Sequence, residues 1–362
     1  MSLAVIKREH YTVTVEDPTV YVDNKARRRS GHMTHAMAEF APGTFIDFNS
    51  SCSPVRLGGH SAFGWVESRI SRDAGRTYGP VRPLQLSCRY LLDGEYTISV
   101  EKAVALPDGS IVAFCLRNSM EDPVCCEPWA TPLSIRSTDG GATWTEPIEC
   151  IPYRGRIYDA LVRDGVIYVL IKCYEHFIGT TPDHVYRVYR STDGGQSFEL
   201  LSVPPIDGIG RGYGSLLFGP DGTLHCYGYN VNAETEMDHA VSTDNGATWT
   251  LQPPCHVALG IRNPQTALLD GVFILHGRSG DARGFVLYTS EDGSTWDEGT
   301  WLIQKEGACY YSNNLNLHDD KGDFLLIQYS DLYESDMDVE GKFNARVNVM
   351  HTVVRVAERP QA

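Results

Sequence analysis

The sequence predicts an all-β fold, a six-bladed β-propeller, on the strength of three features. A turn motif of the form S-x-D, with glycine one or two residues later and then an aromatic residue, recurs five times. Paired hydrophobic runs recur with it, and helical periodicity is nearly absent. The motif begins at Ser71, Ser137, Ser191, Ser242 and Ser290, at intervals of 66, 54, 51 and 48 residues. A period of about 50 residues is typical of propeller blades or solenoid repeats.

Each repeat contains the signals of four strands. Two hydrophobic runs flank an Asp-Gly turn, as in KAVALPDGSIVAF and SLLFGPDGTLHCY. Asp-Gly between such runs is a strong hairpin signal. A third run leads into the S-x-D turn, and a fourth follows it. Four antiparallel strands per repeat is the pattern of a propeller blade.

The aspartates of the repeated turn are expected to be structural. An aspartate there can accept hydrogen bonds from the turn backbone, and the glycine can adopt a positive φ. The aromatic residue that follows can fill the gap between neighbouring strands. We therefore do not count them as catalytic carboxylates: Asp73, Asp139, Asp193, Asp244 and Asp292.

A sixth blade without a sixth motif follows the last repeat. Residues 311–330 predict a hairpin and residues 345–356 a third strand, after which the chain ends. The strand-like N-terminal segment 10–22 can supply the fourth strand, which would close the ring and remove exposed edges. No turn would then join the third and fourth strands, so no motif is needed. We expect one domain spanning residues 1–362, with seven blades as the alternative.

Composition excludes several functional classes. The net charge of −15 lacks the basic footprint of a nucleic-acid binder, and no hydrophobic stretch is long enough to span a membrane. The basic run 25–29 is expected to be a solvated loop.

No paired C-x-x-C sets occur, so we expect neither a metal nor a cofactor. Cysteines inside hydrophobic runs and the lack of a leader favour a cytoplasmic location, with secretion or the periplasm left open.

Five such Asp-box motifs resemble those of the sialidase-like superfamily, also called BNR-repeat proteins. The resemblance covers essentially the whole chain. It implies a carbohydrate-active protein in which three arginines hold a carboxylate, a tyrosine aided by a glutamate is the nucleophile, and an aspartate is the acid/base. The family tyrosine lies in a Y-S motif at the last blade, where this chain has Tyr311-Ser312. Arg278 and Arg283 stand where a family arginine is expected.

The first blade departs from the family pattern. Residues 32–35 read HMTH where the family has R-I-P, and the loop in which the acid/base aspartate is expected contains no aspartate. Its polar candidates are Arg56 and His60. The resemblance therefore implies a related sugar acid or another glycan as ligand, in place of ordinary sialic acid.

Propeller geometry predicts a site without the family. The first strand of a blade lines the central axis, and its start lies on the same face as the end of the second strand. Residues at these positions should meet at one axial mouth. The proposed catalytic residues are Tyr311, Glu101, Asp159 and His35. The proposed substrate-binding residues are Arg278, Arg262, Arg117, Arg283, Tyr213, Lys172 and His60.

Several of these residues have a structural alternative. Glu101 with Lys172, or Asp159 with Arg117, could be salt bridges between blades. Tyr213 could be strand packing, and His35 a hydrogen-bonded loop residue.

Three functions remain open. The leading hypothesis is an exo-acting glycoside hydrolase on a terminal, acidic sugar, in which arginines bind the acid and Tyr311 attacks the sugar or activates water. A polysaccharide lyase, with tyrosine or histidine as base, is the alternative. The third is a glycan-binding propeller without activity. The partner is a glycan or small sugar, and the oligomeric state is left open.

Overall fold

A computed structural model describes residues 2–56, 63–120, 130–174, 183–305, 310–332, 334–339 and 342–358. It contains six antiparallel blades arranged in a ring. Blade 1 consists of β4 (Met37–Ala41), β5 (Thr44–Cys52), β7 (Gly64–Ser71) and β8 (Arg82–Pro83). Blade 2 consists of β9 (Tyr96–Ala105), β10 (Ile111–Ser119), β11 (Leu133–Ser137) and β12 (Ile148–Glu149). Blade 3 consists of β13 (Gly155–Arg163), β14 (Val166–Cys173), β15 (Tyr186–Ser191) and β16 (Glu199–Ser202).

The second half of the ring has the same plan. Blade 4 consists of β17 (Arg211–Phe218), β18 (Leu224–Asn230), β19 (Glu236–Ser242) and β20 (Thr250–Leu251), with β21 (Cys255–His256) also paired to β19. Blade 5 consists of β22 (Arg262–Leu269), β23 (Val272–Arg278), β24 (Gly284–Ser290) and β25 (Thr300–Gln304). Blade 6 begins with β26 (Ser312–Asp319), β27 (Gly322–Ser330) and β30 (Val349–Glu358).

The N-terminus completes blade 6, as predicted. Strand β2 (Tyr11–Glu16) pairs with β30, β1 (Ser2–Lys7) adds a further strand outside it, and β3 (Thr19–Val22) pairs with the start of β30. Residues alternate along β2 between buried and half-buried, which is the pattern of a strand with one face in the core. The six-blade prediction is confirmed, and the fourth strand of blade 6 needs no Asp-box because it comes from the other end of the chain.

The hydrophobic core lies between the blades. The first strands of successive blades contact one another around the whole ring, including β26 with β4. Each large cluster of buried side chains draws on two neighbouring blades. At the seam between blades 6 and 1, for example, Phe45 packs with Phe324 and Leu326. The innermost strands therefore surround the axis, and their ends are available for a site.

The Asp-box aspartates hold their turns, as predicted. In blade 2, Asp139 accepts hydrogen bonds from the hydroxyl of Ser137 at 2.8 Å and from the N–H and hydroxyl of Thr143 at 2.8 and 2.6 Å. The Thr143 hydroxyl first, and then the other donors, lower the pKa of Asp139 to about 2. Gly141 has a φ of +82°, a conformation that glycine adopts without strain.

Two elements were not predicted. Helix α1 (Gln85–Asp93) connects blades 1 and 2 and packs on β7 and β9. A hairpin of β28 (Glu334–Val339) and β29 (Lys342–Arg346) interrupts blade 6 and forms a separate small sheet with β6 (Val55–Arg56), which lies between β5 and β7 in the chain. Among the described residues, no helix has the length and apolar character required to cross a membrane.

The basic run 25–29 is a turn with Arg27 and Arg28 exposed, as expected of a solvated loop, but two of its cations form ion pairs that were not predicted. Lys25 pairs with Asp331 of blade 6 at 3.2 Å, and Arg27 donates two hydrogen bonds to Glu67 of blade 1. The segment crosses the seam where the ring closes, so carboxylates of both blades lie within its reach. Its cations therefore connect the first and last blades.

Candidate functional site

Irregular strand pairing brings polar side chains to the axial mouth. In β9, Val100 and Lys102 pair with consecutive residues of β10, so Glu101 is an extra residue in the strand. Tyr158 occupies the same place in β13, and the register of β17 and β22 shifts at the corresponding level. Such bulges redirect a side chain and are common beside active sites. Four consecutive blades therefore share a register shift that changes which side chains face the mouth.

A small cavity of about 50 Å³ lies at this level. It is lined by side chains from all six inner strands or the residues just before them. Those that carry the site are His35, Glu101, Arg156, Tyr213, Asn263 and Tyr311. The predicted convergence of strand starts on one mouth is therefore observed for His35, Glu101, Tyr213 and Tyr311.

Tyrosines form one wall of the mouth. Tyr158, Tyr213, Tyr229 and Tyr311 make a buried cluster, and the hydroxyls of Tyr213 and Tyr311 are 3.2 Å apart. The guanidinium carbon of Arg278, at the end of β23, lies 5.3 Å from the centroid of the Tyr311 ring. An arginine at this distance can make a cation–π contact. Two of the predicted residues, Tyr311 and Arg278, are thus in direct contact.

A buried ion pair lies beside the tyrosines. Arg156 donates to Glu101 Oε2 from Nε at 2.9 Å and from Nη2 at 2.8 Å. Although burial alone lowers the pKa of Arg156, the charge of Glu101 and the nearby hydroxyls of Tyr158, Tyr213 and Tyr311 raise it well above its ordinary value. Arg156 was not predicted, because the start of this strand was expected at Asp159 whereas β13 begins at Gly155.

Asp159 lies deeper along the axis than predicted. Its carboxylate accepts hydrogen bonds from the Ser215 hydroxyl at 2.7 Å and the Leu216 N–H at 2.8 Å, and Lys102 Nζ lies 3.1 Å away. Lys102 also lines a wider cavity of about 420 Å³, which contains no residue from the tyrosine wall. Asp159 therefore belongs to a polar layer beneath the mouth. Both Glu101 and Asp159 make salt bridges between blades, but with partners other than the predicted Lys172 and Arg117.

A second ion pair holds Arg262 and involves a residue that was not predicted. Glu234 accepts hydrogen bonds from Arg262 Nε, from the Tyr229 hydroxyl and from the Asp281 N–H. Burial opposes ionisation of Glu234, but these three donors outweigh it and lower its pKa. Glu234 lies in the turn after β18, where nothing in the sequence distinguishes it from a surface residue. It connects blade 4 to the start of β22 and to the loop after Arg278.

His35 is buried against the mouth. Burial lowers the pKa of its ring to about 3, and the backbone of His32 offsets only part of this effect. Neither ring nitrogen has a hydrogen bond of good geometry. The imidazole is therefore neutral at neutral pH and has no proton of suitable acidity to give to a leaving group.

The remaining predicted residues lie elsewhere. Arg117 turns toward the outside of blade 2, where it donates to the Thr131 carbonyl and pairs with Glu149 at 2.8 Å. Arg283 follows the short helix η1 (Gly280–Ala282) and is exposed. Lys172 is completely buried in β14, with Nζ 3.4 Å from the Cys173 carbonyl. His60 lies outside the described residues.

The described residues contain no group of three or more histidine, cysteine, aspartate or glutamate side chains placed to hold a metal ion. The polar side chains of the mouth are instead arginine, tyrosine, asparagine, glutamate and histidine. This mixture suits hydrogen bonding to a polar organic ligand.

Solved structures with the same architecture include carbohydrate-active enzymes. The Hadza microbial sialidase Hz136 superposes with a TM-score of 0.68 at 16% identity, over 95% of this chain and 68% of that one. The fold is that of the sialidase-like six-bladed propellers. A Dyadobacter fermentans protein of unknown function gives a TM-score of 0.64 at 16% identity, over 95% and 99% of the two chains.

An α-L-arabinanase of Penicillium chrysogenum complexed with arabinobiose gives a TM-score of 0.59 at 13% identity, over 89% of this chain and 95% of that one. No protein-family model matches the chain, and no curated protein matches it at a significant level. At these identities the similarity shows a shared sialidase-like propeller fold, and one fold can support different chemistries.

Proposed function

We propose that this protein is a glycoside hydrolase that removes a terminal sugar residue, with Tyr311 as the nucleophile. The observation that carries the proposal is the position of Tyr311: its hydroxyl lies 3.2 Å from that of Tyr213, and Arg278 covers its ring. Sialidases and an arabinanase with the same fold support a sugar as the ligand.

The surrounding charges suit such a nucleophile. A phenol attacks well only when negative charge on its oxygen is stabilised, and Tyr311 has Arg278 above it and Arg156 close enough to interact electrostatically. Glu101 holds Arg156 in position through Oε2, and the Tyr213 hydroxyl, 3.2 Å from that of Tyr311, is the first acceptor of the phenolic proton in this proposal. Attack of the phenolate on the anomeric carbon would form a glycosyl–tyrosine bond as the bond to the leaving oxygen breaks, and the leaving oxygen would take a proton from solvent water. A second water would then hydrolyse the intermediate, releasing the sugar and returning a proton to Tyr311.

Arg278 is the residue that would favour an acidic sugar. It stands at the end of β23 with its side chain partly exposed at the mouth, and a guanidinium binds a carboxylate through two parallel hydrogen bonds. Arg262 and Arg156 pair with Glu234 and Glu101. Because Arg278 contacts the ring of Tyr311, a carboxylate bound by Arg278 would lie beside the proposed nucleophile.

The test uses two adjacent tyrosines. Purified protein is screened against aryl glycosides of acidic and neutral sugars, and the active substrate is then used with Tyr311→Phe and Tyr310→Phe. Tyr310 is the matched control because its ring packs in the core and its buried hydroxyl has no hydrogen-bond partner. We expect Tyr311→Phe to lower kcat by a factor on the order of 10³ or more and Tyr310→Phe to leave it unchanged. Full activity in Tyr311→Phe would refute the proposed nucleophile.

Oligosaccharides that contain 4-linked uronates, added to the screen, separate the two alternatives. From them a lyase would release an unsaturated product with ultraviolet absorbance, whereas a hydrolase would release a reducing end without it. Burial lowers the pKa of His35 to about 3, which makes it a weak base for the lyase reaction considered from the sequence. Saturable sugar binding with no product of either kind would favour the binding propeller.

A further inference from the structure

Several buried polar atoms at the mouth cavity have no hydrogen-bond partner among the described residues. Within the described part of the chain, Glu101 Oε1, Asn263 Oδ1 and Asn313 Oδ1 have no hydrogen bond, and neither ring nitrogen of His35 has one of good geometry. All four residues line the same cavity. Native proteins leave few buried polar atoms unpaired. Their concentration here indicates that water or a ligand supplies the missing partners.

The unpaired atoms are mainly acceptors. Arg156 holds Glu101 Oε2, so the oxygen left over is a carboxylate acceptor. The side-chain nitrogen of Asn313 donates to the Glu101 carbonyl at 3.0 Å, which fixes the amide orientation and leaves its oxygen unpaired. Neutral His35 adds one acceptor and one donor. A group that enters this space must therefore bring hydrogens to donate.

The size of the cavity restricts that group. A water molecule needs about 10–15 Å³ of such space, and the cavity has about 50 Å³. It can hold a few water-sized groups, such as two neighbouring hydroxyls, but not a complete sugar ring. The ring would remain above the cavity, on the side of the tyrosine wall and Arg278.

The backbone around the cavity is strained. Thr34, Asn263 and Tyr310 have φ values of +66°, +40° and +41°, although none is glycine. Positive φ is unfavourable for β-branched and bulky residues, and it persists where the surrounding structure enforces it, often at ligand sites. This strain accompanies the unpaired acceptors at the same end of the axis.

We infer that the floor of the mouth is a subsite for neighbouring hydroxyl groups of the ligand, which donate to Glu101, Asn263 and Asn313. The inference rests on the proposed function only in taking the ligand to be a sugar. It adds a determinant of substrate specificity that is separate from Arg278. A carboxylate of the sugar would bind at Arg278, and the edge of the same sugar that carries neighbouring hydroxyls would enter the floor. Substrates that lack neighbouring hydroxyls on that edge are poor ligands.

Small diols test the subsite directly. Binding of glycerol and ethylene glycol is measured by ligand-observed NMR with the complete protein. The probes compared with them are 1,2-dimethoxyethane, which cannot donate, and acetate, which is an acceptor only. We expect the two alcohols to bind and to compete with each other, and the ether and acetate not to displace them. Displacement of glycerol by acetate, or no binding of either alcohol at molar concentration, would overturn the inference.

Variants locate the binding. Asn263→Gly removes the acceptor, and glycine tolerates the positive φ of this position. Asn245→Gly is the matched control, because Asn245 also has a positive φ, +56°, but lies exposed in the Asp-box turn of blade 4. We expect glycerol affinity to fall by at least about tenfold in Asn263→Gly, because each well-placed hydrogen bond discriminates by that order or more. The control should match wild type. Equal affinity in both variants would show that glycerol binds elsewhere.

A second variant keeps the inference testable if Asn263→Gly fails to fold. In Glu101→Gln the amide oxygen can still accept from Arg156, while the amide nitrogen replaces the free acceptor in the cavity. We expect weaker glycerol binding in this variant too, and unchanged binding would count against the subsite. The two proposals fail separately: diol binding without turnover on any glycoside refutes the hydrolase, and turnover without diol binding refutes the subsite.

Discussion

Removal of the Glu101 carboxylate should destabilise the ring far more than removal of a surface carboxylate. The Arg156 and Glu101 side chains are only 7% and 11% exposed, so Glu101→Ala leaves a buried cation without a partner. Breaking one side of a buried pair costs about 3–5 kcal/mol. Glu101→Gln keeps an oxygen for both Arg156 donors and should cost about 1–2 kcal/mol, the difference between charged and neutral hydrogen bonds.

The melting temperature reports these losses of stability. An unfolding entropy of about 2.1 cal/mol/K per residue over 362 residues is about 0.8 kcal/mol/K. The expected losses then correspond to about 4–7 °C for Glu101→Ala and about 1–3 °C for Glu101→Gln. Calorimetry or circular dichroism at neutral pH supplies the measurement.

Two controls accompany it. Glu146→Ala removes the partner of Arg89 in an exposed pair, and we expect no measurable shift because solvent screens such pairs. The double variant Glu101→Leu with Arg156→Met removes both charges and should be more stable than Glu101→Ala alone. If Glu101→Ala melts at the same temperature as Glu146→Ala, the buried pair contributes nothing and the reasoning is refuted.

Two further predictions concern ring closure and pH. Val13 is completely buried in the closing strand β2, so Val13→Ala should lower the free energy of unfolding by about 2 kcal/mol in chemical denaturation. Val5, which is 51% exposed on β1, is the control, and an equal effect of Val5→Ala would contradict the role of β2 in closing the ring. Burial first, and then the neighbouring His225, lower the pKa of His239 to about 4. Because the unfolded chain takes up this proton near pH 6.5, stability is complete above that pH and falls as the pH drops toward 4, by roughly 3 kcal/mol for this group. His239→Gln should flatten this part of the pH–stability curve, whereas exposed His10→Gln should not; an unchanged slope in His239→Gln would show that this histidine is not responsible.

The sequence was sufficient for the architecture because its signals are local. An Asp-box turn forms from hydrogen bonds among residues two to four positions apart, such as Ser137, Asp139 and Thr143. An Asp-Gly hairpin likewise needs only its own strands. The closing strand could be inferred because β2 alternates buried and half-buried residues and the last blade lacked a fourth strand. The short helix α1 and the β28–β29 hairpin gave no such repeated signal.

The mouth was only partly predictable because its residues meet through tertiary structure. Tyr311, Arg278, Tyr213, Glu101 and His35 were found from the rule that strand starts and second-strand ends share a face. A one-residue bulge changes which side chain faces the axis, and no local pattern marks it. Arg156 was missed and Asp159 was placed too near the mouth because the start of β13 was expected at Asp159 instead of Gly155, and the bulge at Tyr158 shifts the register between them.

Charge partners were decided by the ring as a whole. Glu234 reaches Arg262 only because blades 4 and 5 stand side by side, and Arg27 reaches Glu67 only because the last blade closes on the first. An ion pair depends on distances of a few ångströms between residues far apart in sequence. The sequence by itself therefore determined the repeat, the blade number and the face of the site. The tertiary structure alone decided which charges are paired and which polar atoms remain for a ligand, because both depend on contacts between blades.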